Sequence, residues 1–278
     1  MRFEIALVTL LSSMAVQAAH LEPVTSQAWE DYVQSATTRM EQRLNPGQSF
    51  LWADEQPDRL AKVRAGEIVV SWAGPEIPKK VPSGLIHDWV GAVFIPNVSL
   101  NDAVQVLRDY ARYKDLYRPS VIESKGIELG DKNDHFSMRL LNRSLLLKTA
   151  FDAEYESSSI RVDDHSAYTI ARTTRVREIY DYGSSSQHVF DEGEGHGIIW
   201  SLFAITRLME RDGGVYVELE AIGLSRDIPA SMRWLIEPVV RRISRSSLAT
   251  SLEQTEKAVT VRREMASKPV KSGISFQP

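Results

Sequence analysis

IPASMRWLIEPVVRRISRSSLATSLEQTEKAVT, residues Ile228 to Thr260, is the stretch on which the reading of the rest of the chain turns. Pro229 favours a helix start, and the stretch is read as one unbroken helix. About thirty helical residues extend roughly 45 Å. Met232, Ile236, Val239 and Ile243 recur at spacings of three and four, while Arg233, Glu237, Arg241 and Arg245 fall largely elsewhere around the wheel. One face is apolar and needs a partner. From His135 to Leu224 the chain reads as successive strands, so the simplest partner is the concave face of a curved antiparallel sheet. The predicted class is α+β, a curved sheet wrapped around a long C-terminal helix, an arrangement that can leave a cavity between the two.

The strand pair just before the helix can be registered residue by residue. Ile198 to Glu210 and Val215 to Leu224 flank Arg211-Asp212-Gly213-Gly214, a strong hairpin turn signal. With Asp212-Gly213 as the turn, Thr206 faces Leu219, Leu208 faces Val217, and Arg207 meets Glu218 as a cross-strand ion pair. Trp200, Leu202, Ala204, Thr206 and Leu208 then share a face with Val215, Val217, Leu219, Ala221 and Gly223, and this is read as the inner face. Upstream, Phe136, Met138 and Leu140 alternate with Ser137 and Arg139. A turn at Asn142-Arg143 sets Leu140 opposite Leu145 and Met138 opposite Leu147, and Thr149, Phe151, Ala153 and Tyr155 continue that apolar face. Asp163-Asp164 marks the next turn. Asp181 to Gly197 is a polar, glycine-rich loop.

Ahead of these strands, Leu85 to Pro96 is a first strand, followed by a helix capped by Ser99 with Asp102 in its first turn. That helix carries Val104, Leu107, Tyr110 and Ala111 and ends before Pro119. Ser26 to Leu44 is a helix stopped by Asn45-Pro46-Gly47, and Ile68 to Trp72 a short strand. The Pro-rich connection that follows divides the chain into an N-terminal extension over 19–83, a main domain over 84–260 and a flexible tail over 261–278. Residues 1–18 read as a secretory leader: Arg2, an apolar run from Ile5 to Val16, and small residues at Val16-Gln17-Ala18 for a signal peptidase. The run is shorter than the roughly 20 apolar residues that span a bilayer, so a membrane anchor is the weaker alternative. The expected location is exported, periplasmic or extracellular, with no later transmembrane segment.

Composition narrows the chemistry. The formal net charge of -4 in 278 residues gives no basic excess, which argues against a nucleic-acid binder that neutralises phosphates. Zero cysteines exclude disulfides, thiolate metal sites and a Cys nucleophile. No nucleophile elbow, HExxH, P-loop or dinucleotide fingerprint occurs. His87, His135, His165, His188 and His196 are scattered and read as surface or loop histidines, so no metal and no cofactor is expected. The sharper clue is arginine in the strand Ala167 to Tyr180, where one face carries Arg172 and the other Arg175 and Arg177. Unless a bulge intervenes, one of them points inward, either to anchor a ligand carboxylate or phosphate or to pair with a protein carboxylate such as Asp227.

The order strand, helix, antiparallel strands, long C-terminal helix is similar to the helix-grip fold of the START-like superfamily, which takes in lipid-transfer domains, plant pathogenesis-related ligand binders and polyketide cyclases. The residues carrying the resemblance are Trp89-Val-Gly-Ala-Val-Phe-Ile-Pro96, Asp109-Tyr110 with Tyr113-Lys114, Arg172-Thr-Thr-Arg-Val176, and Val217 to Pro229 with its Ser225-Arg226-Asp227-Ile228-Pro229 junction. They resemble an exported bacterial group, and the match spans about Leu85 to Ala258. The resemblance implies a non-catalytic binder or carrier of a hydrophobic small molecule or lipid between sheet and helix. A cyclase- or hydrolase-like enzyme using the same cavity, and an interaction protein with a filled core, are the alternatives; apart from the ligand, no partner is assigned. The candidate ligand-binding residues are Phe136, Met138, Leu140, Leu147, Phe151, Arg172, Arg175, Trp200, Leu202, Thr206, Val217, Leu219, Ile236 and Val239.

Overall fold

A computed structural model describes residues 19–74, 78–130, 133–143 and 148–267. The leader reading and Leu147 lie outside the described residues. The helices are α1 (Pro23–Gln42), α2 (Pro57–Arg64), α3 (Leu100–Leu107), α4 (Tyr113–Leu116) and α5 (Ala230–Ser267). The long strands are β1 (Val69–Trp72), β2 (Gly84–Pro96), β3 (Val121–Leu129), β4 (Asn133–Arg143), β5 (Lys148–Arg161), β6 (Ser166–Tyr180), β7 (Ser201–Arg211) and β8 (Gly214–Arg226). They belong to one antiparallel sheet of ten strands in the order β1-β2-β8-β7-β6-β5-β4-β3, with two short segments paired at its margins. From β3 onward each strand pairs with the next, and β2 lies against the last. Together with the long C-terminal helix, this is the helix-grip architecture expected from the sequence.

The β7–β8 hairpin forms in the predicted register. Thr206 pairs with Leu219, Arg207 with Glu218 and Leu208 with Val217. Asp212 and Gly213 take φ of 57° and 79°, both left-handed, as a tight hairpin turn requires. The β4–β5 hairpin differs. Met138 pairs with Ala153 and Leu140 with Phe151, and pairing continues to Arg143 opposite Lys148, so Asn142-Arg143 is strand and not turn. Asn-Arg offers no glycine for the second left-handed position, and the longer ladder satisfies more backbone groups. The register moves by an even number of residues, so Phe151, Ala153 and Tyr155 stay on the apolar face.

Strand β6 contains the bulge on which the arginine question depended. Tyr155 pairs with Thr173 and Glu154 with Arg175, which leaves Thr174 as the extra residue. The parity of the strand changes there. Arg172, Arg175 and Arg177 therefore all project from the outer face, where Arg172 bonds Glu30 at 2.9 Å, Arg175 pairs with Glu154, and Arg177 lies 3.8 Å from Asp152. Neither Arg172 nor Arg175 points inward.

Each face of the sheet has a helical layer. On the outer side, Trp29, Val33, Ala36 and Met40 of α1, with Leu51, Trp52 and Val63, pack on Ile86, Val90, Phe94, Phe203, Ile205, Tyr216 and Ile222. The helix α2 was not read from the sequence. Trp200 joins this outer cluster and not the inner face, because it precedes β7 and packs beside the extension. On the inner side, α5 lies chiefly over β2, β1 and β8, with α3 alongside. At Gly91 the helix sits directly on the strand: a Cβ there would fall 2.7 Å from Leu252 Cδ1. Pro238 lies inside α5, a helix breaker that the reading of an unbroken run passes over, and the helix continues beyond Thr260 to Ser267.

The helix predicted up to Pro119 is broken. Ser99 and Asp102 form a reciprocal capping box at the start of α3, which ends at Leu107 and is followed by a short turn, Tyr110–Arg112, and α4. The break turns Tyr110 inward, where its hydroxyl bonds Asp134 at 2.9 Å beside the ion pair from Arg108. Among the described residues, no helix is long and apolar enough to cross a membrane.

Candidate functional site

Antiparallel pairing lines up small residues across the inner face. One row runs Ser157, Ala171, Ala204, Ala221 to Trp89, and a second runs Ser159, Thr169, Thr206, Leu219 to Gly91. In a third, Tyr155 pairs with Thr173, whose hydroxyl bonds the backbone of Leu202; Leu202 pairs with Gly223, and Gly223 with His87. Alanine, threonine and glycine on adjacent strands leave volume above the sheet. Thr169, Ala171, Thr173, Leu202, Ala204, Thr206, Leu219, Ala221 and Gly223 are all only half-buried. The next row, Ala167, Leu208, Val217 and Val93, is buried beneath Leu100, Ala103 and Val106. A trough thus opens where the covering layer stops.

One wall of the trough is α5. Met232 and Val240 pack with Ile236 against Leu85 and Ile228, while Val239 and Ile243 are half-buried. The other wall is aromatic. Tyr110 stacks on Phe136 at 4.1 Å between ring centroids, Phe136 stacks on Tyr155 at 4.9 Å, and Tyr113 meets Tyr117 edge-on at 4.8 Å. Phe151, Met138, Leu140 and Leu202 join the same cluster. Tyr117 Oη lies 3.1 Å from Thr255 Oγ1, tying this wall to α5.

Polar groups concentrate at the end of the trough where β2 begins and β8 ends. His87 Nε2 lies 3.0 Å from Ser225 Oγ, and burial lowers the imidazole pKa to about 4, with Glu237 only partly opposing. Farther round, His196 Nδ1 lies 2.6 Å from Glu178 Oε1, and the same carboxylate accepts from the His196 backbone. Two hollows, of about 300 and 330 Å³, lie on the outer side of the sheet. The first is set among the paired side chains of Arg139, Asp152, Glu154 and Arg175 on the outer face, and the second is bounded by Arg39, Arg43 and Glu55.

Of the candidate residues, Leu202, Thr206 and Leu219 form the trough floor, and Phe136, Met138, Leu140 and Phe151 belong to the aromatic side. Val239 is on the helix wall, Val217 is in the buried row, and Ile236 is buried against Leu85. Arg172, Arg175 and Trp200 are on the other side of the sheet. The reading missed His87 and Ser225. Alternation from Trp89 places His87 on the inner face of β2, half-buried, and not on a surface loop.

No family model matches the sequence, and no curated protein matches it. Solved structures similar to it include a STAR-related lipid transfer protein of Xanthomonas axonopodis, at 15% identity over 66% of this chain and 98% of that one, with a TM-score of 0.44. Human STARD10 shares 12% identity over 80% of this chain and 86% of its own, at 0.45. The Zhui aromatase/cyclase of a Streptomyces species shares 12% over 66% and 98%, at 0.42. The fold rests on this chain's own strand order and helix placement.

Proposed function

We propose that this protein is an exported binder or carrier of a hydrophobic small molecule or lipid, held in the trough between the sheet and α5. The observation that carries the proposal is the pair of rows centred on Ala204 and Thr206, whose small inner-face residues are only half-buried between two filled walls. A solid core would place large side chains there. The cyclase- or hydrolase-like alternative draws on the His87–Ser225 pair. Ser225 Oγ lies 3.0 Å from His87 Nε2 and 3.2 Å from the Arg226 carbonyl, so a backbone acceptor competes with the imidazole for the proton that nucleophile activation must move. Export is supported by the apolar run Ile5 to Val16 and the small residues that follow it.

Native mass spectrometry of the protein purified from its source tests both parts. The expected result is a retained apolar molecule of lipid size on a chain that begins at or within a residue or two of Ala19. A ligand-free mass, together with no uptake of an environment-sensitive apolar dye, would contradict the binding role. Recovery of Met1 in the soluble cytoplasmic fraction would contradict export.

A further inference from the structure

The third row ends in a hole with a defined polarity. Gly223 lies between Leu202 and His87 on the inner face, and a Cβ built there would meet only Leu202 Cδ2, at 3.5 Å. The space is bounded by an imidazole and a hydroxyl. Ser225 has one hydroxyl proton and two acceptors in reach, the Arg226 carbonyl at 3.2 Å and His87 Nε2 at 3.0 Å. With that proton given to the carbonyl, the imidazole is the tautomer that donates from Nε2 to Ser225 Oγ. A neutral imidazole protonated at Nε2 carries a bare lone pair at Nδ1. Among the described residues Nδ1 has no hydrogen-bond partner, and it is not among the atoms sealed from solvent. Burial keeps this ring uncharged at neutral pH.

The charges nearby define what the hole rejects. A carboxylate or phosphate has no proton to give Nδ1 and meets no free cation from the ring. Glu237 of α5, close enough to act on His87, is paired with Arg241 one helical turn along. A head of either charge entering the hole therefore loses its hydration without gaining a free counter-ion. On the strength of the trough being a binding site, we infer that its ligand carries an uncharged hydrogen-bond donor, a hydroxyl or an amide N–H, which lodges over Gly223 and donates to His87 Nδ1. The apolar body then lies along Ala171, Ala204 and Ala221.

The test is displacement of an environment-sensitive apolar dye from the whole protein at pH 7.5 by dodecanol, dodecanoate and dodecylamine, each below its aggregation concentration. Dodecanol is expected to displace the dye with an affinity at least tenfold above the other two. His87→Leu removes the acceptor and is expected to erase that preference while dye binding persists, and His87→Gln, which restores a carbonyl acceptor, to recover part of it. The ranking in the parent protein needs no variant and stands if His87→Leu fails to fold. A carboxylate or amine ranked first, or a preference unchanged in His87→Leu, overturns the inference and leaves the binding role intact. No dye binding, or no displacement by any of the three, overturns both.

Discussion

Strands β7 and β8 present two opposite surfaces on one ladder of hydrogen bonds. Toward the N-terminal layer they carry Phe203, Ile205, Arg207, Tyr216, Glu218 and Ile222, all buried, while toward α5 they carry, beside the buried Leu208, Val215 and Val217, the only half-buried Leu202, Ala204, Thr206, Leu219 and Ala221. The charged residues are on the sealed face. Arg207 and Glu218 are 1% and 0% exposed at the side chain; Arg207 bonds Glu218 and Glu220 at 3.0 Å each, and Glu218 accepts from the backbone N–H groups of Trp52 and Ala53. Arg39 and Tyr32 of α1 complete the network through Asp88 and Glu220. The difference teaches that apolar character does not decide burial here; the cover does. The N-terminal layer closes one face with large side chains and paired charges, and α5 leaves part of the other face only partly covered.

The largest expected effect breaks the sealed face. Arg207→Ala leaves the buried Glu218 without its cation and Glu220 with Arg39 alone, and should cost about 3 to 5 kcal/mol in urea unfolding. Thr206→Ala, one residue away on the open face, should cost less than about 1 kcal/mol. Equal losses would show that the two faces are packed alike. Arg172, which pairs with Glu30 at the surface, serves as the silent outer-face control.

A second prediction sets one titrating group on each face against the other. Burial and the neighbouring Glu220 push Asp88 up to about 7 from 3.8, so between those values the folded state holds a proton that the unfolded chain has lost. Its contribution is present below about pH 4 and is lost as pH rises to about 7. Glu218, raised by the same burial, adds to that fall. His87, lowered from 6.5 to about 4, does the reverse: the unfolded chain takes up the proton first, so stability is lost as pH falls through that window. Asp88→Asn should therefore remove a decline in stability between pH 4 and 7, and His87→Gln should remove a rise between pH 4 and 6.5, each on the order of 3 kcal/mol. Unchanged slopes in denaturation curves across this range would contradict the burial assigned to both groups.

A smaller contrast sharpens the boundary of the cover. Gly91→Ala drives a methyl against Leu252 of α5 and should cost about 1 to 3 kcal/mol. Gly223→Ala enters open space at a backbone that needs no glycine, and should change stability by less than about 1 kcal/mol. If Gly223→Ala proves the costlier, the trough is closed at that end.

Much of this contrast is legible in the sequence because strand alternation is rigid. The Asp212-Gly213 turn fixes the pairing of Thr206 with Leu219, and from it the identity of every inner-face residue on β7 and β8 follows. Alternation fails where the backbone inserts a residue. The bulge at Thr174 carries no marker in Arg172-Thr-Thr-Arg-Val176, yet it moves Arg175 and Arg177 to the face of Arg172. Trp200 misled for a related reason, since it lies one residue before β7 starts and escapes its parity. The buried network on the outer face is hidden because its members are distant in the chain: Glu218 looks like a solvated partner of Arg207 until residues 52 and 53 are folded over it. The place of His87 is hidden because β2 is buried on both faces, so alternation alone does not tell which face it takes.

The open trough is tested most directly by Leu219→Trp, measured for both stability and binding. Leu219 is half-buried on the trough floor, opposite Thr206 and Gly91. An indole there should occupy empty space, cost less than about 1 kcal/mol in urea unfolding, and abolish uptake of an environment-sensitive apolar dye that Arg172→Ala retains. A loss of about 1 to 3 kcal/mol or more, with no dye bound by the parent protein, would mean a solid core and would contradict the account.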